Sequence, residues 1–327
     1  MKPNYNTLSN LSVIELNTIT ERYKSYRQEW NKNPMENIVS SFPLNIDIEL
    51  TNACNLRCPH CARTSQNWGT TSIGFMDENL VVKILDEVDK EQGYCVKFSL
   101  RGEPLLYKNL ENVLLKAKKT SLVDYYFNTN AVLLTPDISK KIVELELPRI
   151  SISVGGWDKK SFENCQVGAS FETILNNLNF LKKYRDENKK NFPKIRLQGV
   201  LTPLLKQHLD EFKDLWKDFG DELGCVDFRE ESDGEIESTK EDKNFRCNFL
   251  WQRLVVLWNG DVYPCLFHGV KNVNELVLGN IKNNTLKELW HSDKLQTLRQ
   301  LHTLGNSHLC VSCRLCSYRK EEINLEQ

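Results

Sequence analysis

The chain has 327 residues with nearly balanced charge, 43 Lys+Arg against 44 Asp+Glu, which argues against a basic nucleic-acid face or an acidic tail. Hydrophobic content is an ordinary 40%. There is no export signal and no run near the ~20 apolar residues of a membrane span, so a soluble cytoplasmic protein without nucleic-acid or membrane partner is expected.

Residues 1–43 read as a polar, mostly helical lead-in. After Pro43, LNIDIEL alternates as a strand should and ends just before a cysteine group. DENLVVKILDEVDKEQG has helical apolar spacing and stops at Gly93. Strand-like CVKFSL, VDYYFNT, RISISV, KIRLQGVL and CVDFRE follow in turn, separated by the helical stretches NLENVLLKAKKT, ISKKIVELE, FETILNNLNFLKKYRDEN and KQHLDEFKDLWKDFG. Six strands alternating with helices predict right-handed parallel βα units. Six units fall short of the eight of a closed barrel, so the pattern fits a partial (β/α)6 TIM-like barrel or an open doubly wound sheet. In both, ligands bind at the carboxyl ends of the strands.

The plan changes near residue 231. ESDGEIESTKEDKN reads as a linker, which divides the chain into 1–43, a barrel at 44–235 and a small α+β domain at 236–327. In that last part RLVVLW and DVYPCL are joined by Asn259-Gly260, a hairpin signal. The helices TLKELWHS and KLQTLRQLHT follow.

Eight of the 11 cysteines fall in two groups: Cys54, Cys58 and Cys61, then Cys247, Cys265, Cys310, Cys313 and Cys316. A reducing cytosol disfavours disulfides, so clustered thiols point to metal or redox chemistry. Cys95, Cys165 and Cys225 read first as packing residues. Thiolates are soft ligands for zinc or iron–sulfur clusters. Zinc sites come as two pairs of ligands, whereas the first group offers three thiols and no second pair nearby. Three thiolates suit three corners of a [4Fe–4S] cube whose fourth iron stays open.

CNLRCPHC fits C-x3-C-x2-C, with His60 where an aromatic ring is usual, and here the chain resembles the radical S-adenosylmethionine enzymes. The resemblance implies that Cys54, Cys58 and Cys61 hold the open cluster and that its unique iron chelates S-adenosylmethionine. Reductive cleavage then yields a 5′-deoxyadenosyl radical that takes a substrate hydrogen. SLRGEPLL resembles the Gly-Gly-Glu-Pro motif that receives the methionine ammonium: Gly102, Glu103 and Pro104 match, and Arg101 replaces the first glycine. FNTNAVLL resembles the Thr-Asn-Gly motif, with Asn128 as a cofactor contact and Asn130 in place of glycine, a residue type that tolerates positive φ. ISISVGG supplies Ser151 and Ser153 for the ribose or carboxylate, Ser153 being preferred, and Gln166 stands where an arginine for the carboxylate is common.

The second group, C-x12-G-x4-C followed by C-x2-C-x2-C, is similar to the SPASM and twitch auxiliary-cluster domains. Its layout is nearest to that of twitch-type 2-deoxy-scyllo-inosamine dehydrogenases. Five cysteines imply one auxiliary [4Fe–4S] cluster on Cys247, Cys265, Cys310 and Cys313, with Cys316 spare or replacing one of them; a structural zinc site is the bland alternative. The resemblance implies a radical oxidoreductase that dehydrogenates a sugar- or cyclitol-like small molecule, the auxiliary cluster accepting an electron and a flavodoxin or ferredoxin acting as donor. Epimerisation, with Cys225 or Cys165 returning a hydrogen atom, and peptide maturation are the enzymatic alternatives. A non-enzymatic iron–sulfur or zinc module is the distant one.

Overall fold

The computed structural model describes residues 5–7, 20–65, 72–228, 245–266 and 274–319. Within them the chain forms one sheet from β1 (Tyr5–Thr7), β2 (Asn45–Ile48), β3 (Cys95–Lys97), β4 (Asp124–Thr129), β5 (Arg149–Ser153), β6 (Lys194–Leu201), β7 (Glu222–Asp227), β8 (Arg253–Val256), β9 (Asp261–Tyr263) and β10 (Gly279–Asn280). The strand order is β1-β7-β6-β5-β4-β3-β2-β8-β9-β10. Strands β2 to β7 pair in parallel, each with the next, which is the partial barrel that the alternating pattern predicts.

Local chemistry starts the crossover helices. Asp77 caps helix 78–90, Thr135 with Pro136 opens 136–144, and Ser170 caps 171–187, each side chain accepting a hydrogen bond from a first-turn amide. Their apolar stripes, Val81, Ile84, Leu85 and Val88 in the first, pack onto alternate strand residues such as Ile46, Ile48, Val96, Phe127, Ile150 and Ile152 in one hydrophobic core.

The other strand face is unlike that of an ordinary parallel sheet, which is apolar on both sides. It carries Asn45, Asp47, Lys97, Asp124, Tyr126, Asn128, Arg149, Ser151, Ser153, Arg196, Gln198 and Glu222. Neighbouring strands pair these charges: Asp47 with Lys97 at 3.1 Å and Arg253 at 2.8 Å, Arg149 with Asp124 at 2.7 Å. Burial alone would raise the Asp47 carboxyl, but the two cations outweigh it and hold it below the usual carboxylate range.

Helix 21–36 covers the amino ends of the strands. Tyr26 is buried with Leu44 and Cys95, and its ring meets Trp30 edge-on at 5.8 Å and Tyr94 at 5.5 Å. Cys95 is therefore a packing residue, as read from the sequence.

Three features differ from the sequence reading. The lead-in is not wholly helical, because β1 runs antiparallel to β7 and extends the sheet. The sixth strand begins at Glu222, three residues before the expected CVDFRE, since Gly224 reads as a breaker yet pairs within the sheet. The 253–263 hairpin forms with Gly260 at φ +94°, but β8 also adds in parallel to β2, so the C-terminal segment continues the barrel sheet. The linker at 231–244, and with it the expected boundary at 235/236, lies outside the described residues. No described helix is long and apolar enough to cross a membrane.

Candidate active site and metal centres

The first three cysteines lie on the loop leaving β2, at the carboxyl edge of the barrel. Cys54 and Cys58 are part-buried and Cys61 is exposed. The loop is tightly tied. The Cys61 amide donates to the Cys58 carbonyl at 3.1 Å, the Leu56 amide to Cys54 Sγ at 3.5 Å, and the Arg57 amide to the Val167 carbonyl at 2.9 Å. Burial pushes the Cys58 thiol up to about 12, and the neighbouring Cys61 and Cys54 add to the rise. Burial likewise raises Cys54. Cys58 feels the charge of both Cys54 and Cys61, and soft thiolates are a donor type that suits iron.

Gly102 stands where the chain passes against this loop. Its φ is +71°, and a Cβ there would lie 2.5 Å from the carbonyl oxygens of Thr51 and Ala53. Only glycine fits. Next to it, Glu103 is 1% exposed. Its amide donates to the Ala53 carbonyl at 2.7 Å. Its carboxylate accepts from Thr129 Oγ1 at 2.7 Å, the Asn130 amide at 2.8 Å and the Leu105 amide at 3.1 Å. Glu103 thus ties the second-strand and third-strand motifs together, at the motif where the resemblance puts the methionine ammonium. Pro104 opens the short turn 104–106 beside it. Asn130 Nδ2 reaches Asn55 Oδ1 at 2.9 Å, and the left-handed residue is Ala131 at φ 58°, one place after the expected Asn130.

Two buried acceptors remain near this edge. Among the described residues, Asn128 Oδ1, on the polar strand face beside Ser151, and Gln166 Oε1 have no hydrogen-bond partner. Gln166 Nε2 donates to the Ser153 carbonyl at 3.1 Å, which places Gln166 over the end of β5. Buried orphan acceptors call for donors, and S-adenosylmethionine offers an ammonium, ribose hydroxyls and an adenine amino group. The residues present therefore fit that cofactor.

Arg101, the departure from the glycine motif, has a partner the sequence did not reveal. Its guanidinium is bidentate on Glu49 at 2.5 and 2.8 Å, and Glu49 also accepts the Trp258 amide at 3.4 Å. Trp258 in turn lies against Gly74, where a Cβ would meet its ring at 2.2 Å. Thr51 and Asn52 hold the Gly74 backbone from the cysteine side. The hairpin of the C-terminal segment is thereby locked onto the segment that follows the first cysteines.

The second group meets at a small hollow of roughly 30 Å³, lined by Cys247, Cys265, Cys313 and Cys316 among Phe245, Phe249, Leu250, Leu276, Leu298 and Tyr318. Cys316, expected as the spare thiol, is on the cavity wall. Cys310, expected as a ligand, lines the neighbouring pocket and reaches the group through a hydrogen bond with Cys313. That bond, then burial and the nearby Cys265 and Cys316, push the Cys313 thiol far up. Burial raises Cys247 to about 12, with Cys316 adding to it. A mostly apolar, thiol-lined hollow of this kind fits an iron–sulfur cluster. His302, also on the wall, was singled out by no sequence argument; burial, then Arg319 and Arg246, hold its ring near a pKa of about 3.

The candidate hydrogen donors are placed differently from each other. Cys225 is fully buried on the helix-facing side of β7, with Gly199 and Phe212 around it, so its thiol points away from the polar face. This removes Cys225 as a donor to a substrate held there. Cys165 ends helix 159–165 against Gly155, close enough to the first group for Cys58 to feel its charge.

The radical SAM superfamily model matches residues 48–215, just over half of the chain. The chain belongs to the radical SAM superfamily. A second model, the SPASM iron-sulfur cluster-binding domain, matches residues 247–317. The radical SAM domain binds S-adenosylmethionine and a [4Fe–4S] cluster, and the SPASM domain binds auxiliary iron–sulfur. Among curated relatives, the tungsten-containing aldehyde ferredoxin oxidoreductase cofactor-modifying protein of Pyrococcus furiosus is 26% identical, over 83% of this chain and 86% of its own length. The mycofactocin maturase MftC of Mycobacterium tuberculosis is 25% identical over 60% of this chain, which spans about half (49%) of that protein. Among solved structures, BtrN in complex with AdoMet and 2-DOIA superposes with TM-score 0.55 and 18% identity, over 84% of this chain and 93% of that one. SuiB of Streptococcus suis bound to the precursor peptide SuiA gives 0.63 and 18%, over 92% of this chain and 78% of that one. At such identities these likenesses speak for the radical SAM fold.

Proposed function

We propose that this radical SAM protein is an oxidoreductase that dehydrogenates a polar, sugar- or cyclitol-like alcohol held against the inner face of its barrel. The observation that carries the reading is the thiol-lined hollow of the C-terminal domain, whose four wall cysteines suffice to ligate every iron of one cluster and so favour electron transfer over substrate binding. Cys54, Cys58 and Cys61 hold the open cluster. Cys247, Cys265 and Cys313 hold the auxiliary one, and the fourth ligand comes from Cys316 or Cys310, the two residues flanking Cys313.

Asn128 and Gln166 accept hydrogen bonds from the bound cofactor, with Ser151 and Ser153 beside them. Glu103 and Gly102 fix the backbone on which that cofactor rests. Nearer the carboxyl ends of the strand face, the half-buried Ser153 and Gln198 present donors and acceptors that suit hydroxyl groups. Helix 21–36 closes the far end of the barrel to water. When bound, the cofactors supply the removal of one hydrogen atom and the uptake of one electron, so that a carbinol losing a further proton becomes a carbonyl.

The test is anaerobic incubation of reconstituted, reduced protein with S-adenosylmethionine and a panel of sugars and aminocyclitols. A carbonyl product formed in step with 5′-deoxyadenosine is expected. Accumulation of 5′-deoxyadenosine with no carbonyl sinks the dehydrogenase reading.

A peptide substrate is the second reading. It is favoured by the likeness to MftC, named a maturase, and to SuiB, solved with a precursor peptide. Epimerisation loses one of its two candidate donors with Cys225 turned to the helix layer. An electron donor of flavodoxin or ferredoxin type fits all of these.

A further inference from the structure

His302 has a single geometry available to it. It lies on helix 293–303, 2% exposed, with its ring tilted against Phe245 at 5.8 Å. Its Nδ1 is 3.3 Å from the Cys247 amide nitrogen, which has only a proton to offer, so Nδ1 is the acceptor. A neutral imidazole carries one N–H, and that proton is then on Nε2. Nε2 lies 3.4 Å from Cys313 Sγ. One ring thus grips the backbone of one cluster cysteine and aims an N–H at the sulfur of another. Apart from the thiols, the remaining wall is mostly aromatic and aliphatic, with Ser312, Tyr318 and Arg319 as its other polar side chains among the described residues.

We propose that His302 is a positioning residue that sets the reduction potential of the auxiliary cluster through an N–H···S bond to Cys313. This rests on the reading of the second thiol group as that cluster's site. An N–H aimed at a ligating sulfur stabilises the more negative, reduced cluster, and a mostly apolar wall strengthens that interaction. Its effect is to make the cluster a readier acceptor.

The experiment uses the full chain carrying Cys54→Ala, Cys58→Ala and Cys61→Ala, reconstituted anaerobically so that only the auxiliary site loads, and follows the cluster by EPR-monitored potentiometric titration. His302→Phe keeps the ring shape and loses both nitrogens; His302→Gln restores a donor near Nε2. Both are expected to retain the parent's iron and sulfide. The Phe variant should titrate at a more negative potential, and the Gln variant should recover most of that shift. Equal potentials in parent and Phe variant, at full iron content, would overturn the proposal. Loss of iron from both variants would overturn it too, in favour of a packing role. If the parent itself binds zinc and no sulfide, the cluster reading fails, an outcome distinct from any change between parent and variants.

Discussion

The two thiol groups are opposites in construction. Cys54, Cys58 and Cys61 sit on a loop at the barrel edge, part-buried to exposed, beside orphan acceptors. The C-terminal group surrounds a cavity walled by Phe245, Phe249, Leu250 and Tyr318. The difference teaches that the same ligand chemistry is made open or closed by its surroundings. A loop end with unsatisfied acceptors invites a polar cofactor, whereas a mostly apolar hollow lined with thiols offers soft ligands in a low dielectric.

The sharpest break of this comparison is a pair of cysteine variants. Cys58→Ala is expected to abolish 5′-deoxyadenosine formation, as read by chromatography of reduced, S-adenosylmethionine-treated protein. Cys313→Ala should leave that cleavage in place and strip turnover of substrate. Equal loss of cleavage in both, with folding intact by circular dichroism, would refute the division of labour.

Arg101→Gly restores the glycine usual at that position and tests the lock between the two regions. It leaves the fully buried Glu49 without its bidentate partner, which costs about 3–5 kcal/mol of stability in chemical denaturation. Adding Glu49→Gln should recover part of it, because the charge goes with the partner. If the single variant is as stable as the parent, Arg101 and Glu49 do not tie the regions together.

Glu103→Gln sharpens the open side alone. An amide presents its NH2 toward a site that holds three donors, from Thr129, Asn130 and Leu105, and about 1–3 kcal/mol should be lost. S-adenosylmethionine affinity by calorimetry should fall with it, while the auxiliary iron content stays constant. Unchanged affinity would separate Glu103 from the cofactor edge.

The smallest effect belongs to Cys225→Ala. Its thiol is enclosed by the helix layer, so a stability loss of about 1 kcal/mol is expected, with turnover and deuterium uptake from heavy water unchanged. A changed isotope pattern would put Cys225 back on the substrate side.

Much of this was legible beforehand because it is local. Strand alternation, helical apolar spacing, the Asn259-Gly260 turn and the short cysteine spacings are each written within a few residues, and each appears in the fold. Gly102 was readable as a motif glycine, though the carbonyl contacts that require it were not. Other features are joint properties of distant segments. The parallel addition of β8 to β2 joins residues 45–48 to 253–256. Arg101 answers to Glu49 and Trp258. His302 acquires meaning only from Cys247 and Cys313. Cys225 reads first as a packing residue in sequence, with hydrogen donation as the alternative, and the side of the sheet it faces favours packing.

The sequence by itself determined the three-thiol loop, the βα alternation and the second cysteine array, because ligand type and hydrogen-bonding period are intrinsic to short stretches. Tertiary structure alone decided which thiols share a cavity, that the strand face is a lattice of paired charges, and which residues serve as braces. Those outcomes depend on burial and on partners far apart in the chain. An isolated side chain carries its chemistry with it, but its protonation, its partner and its access to substrate are set by what folds around it.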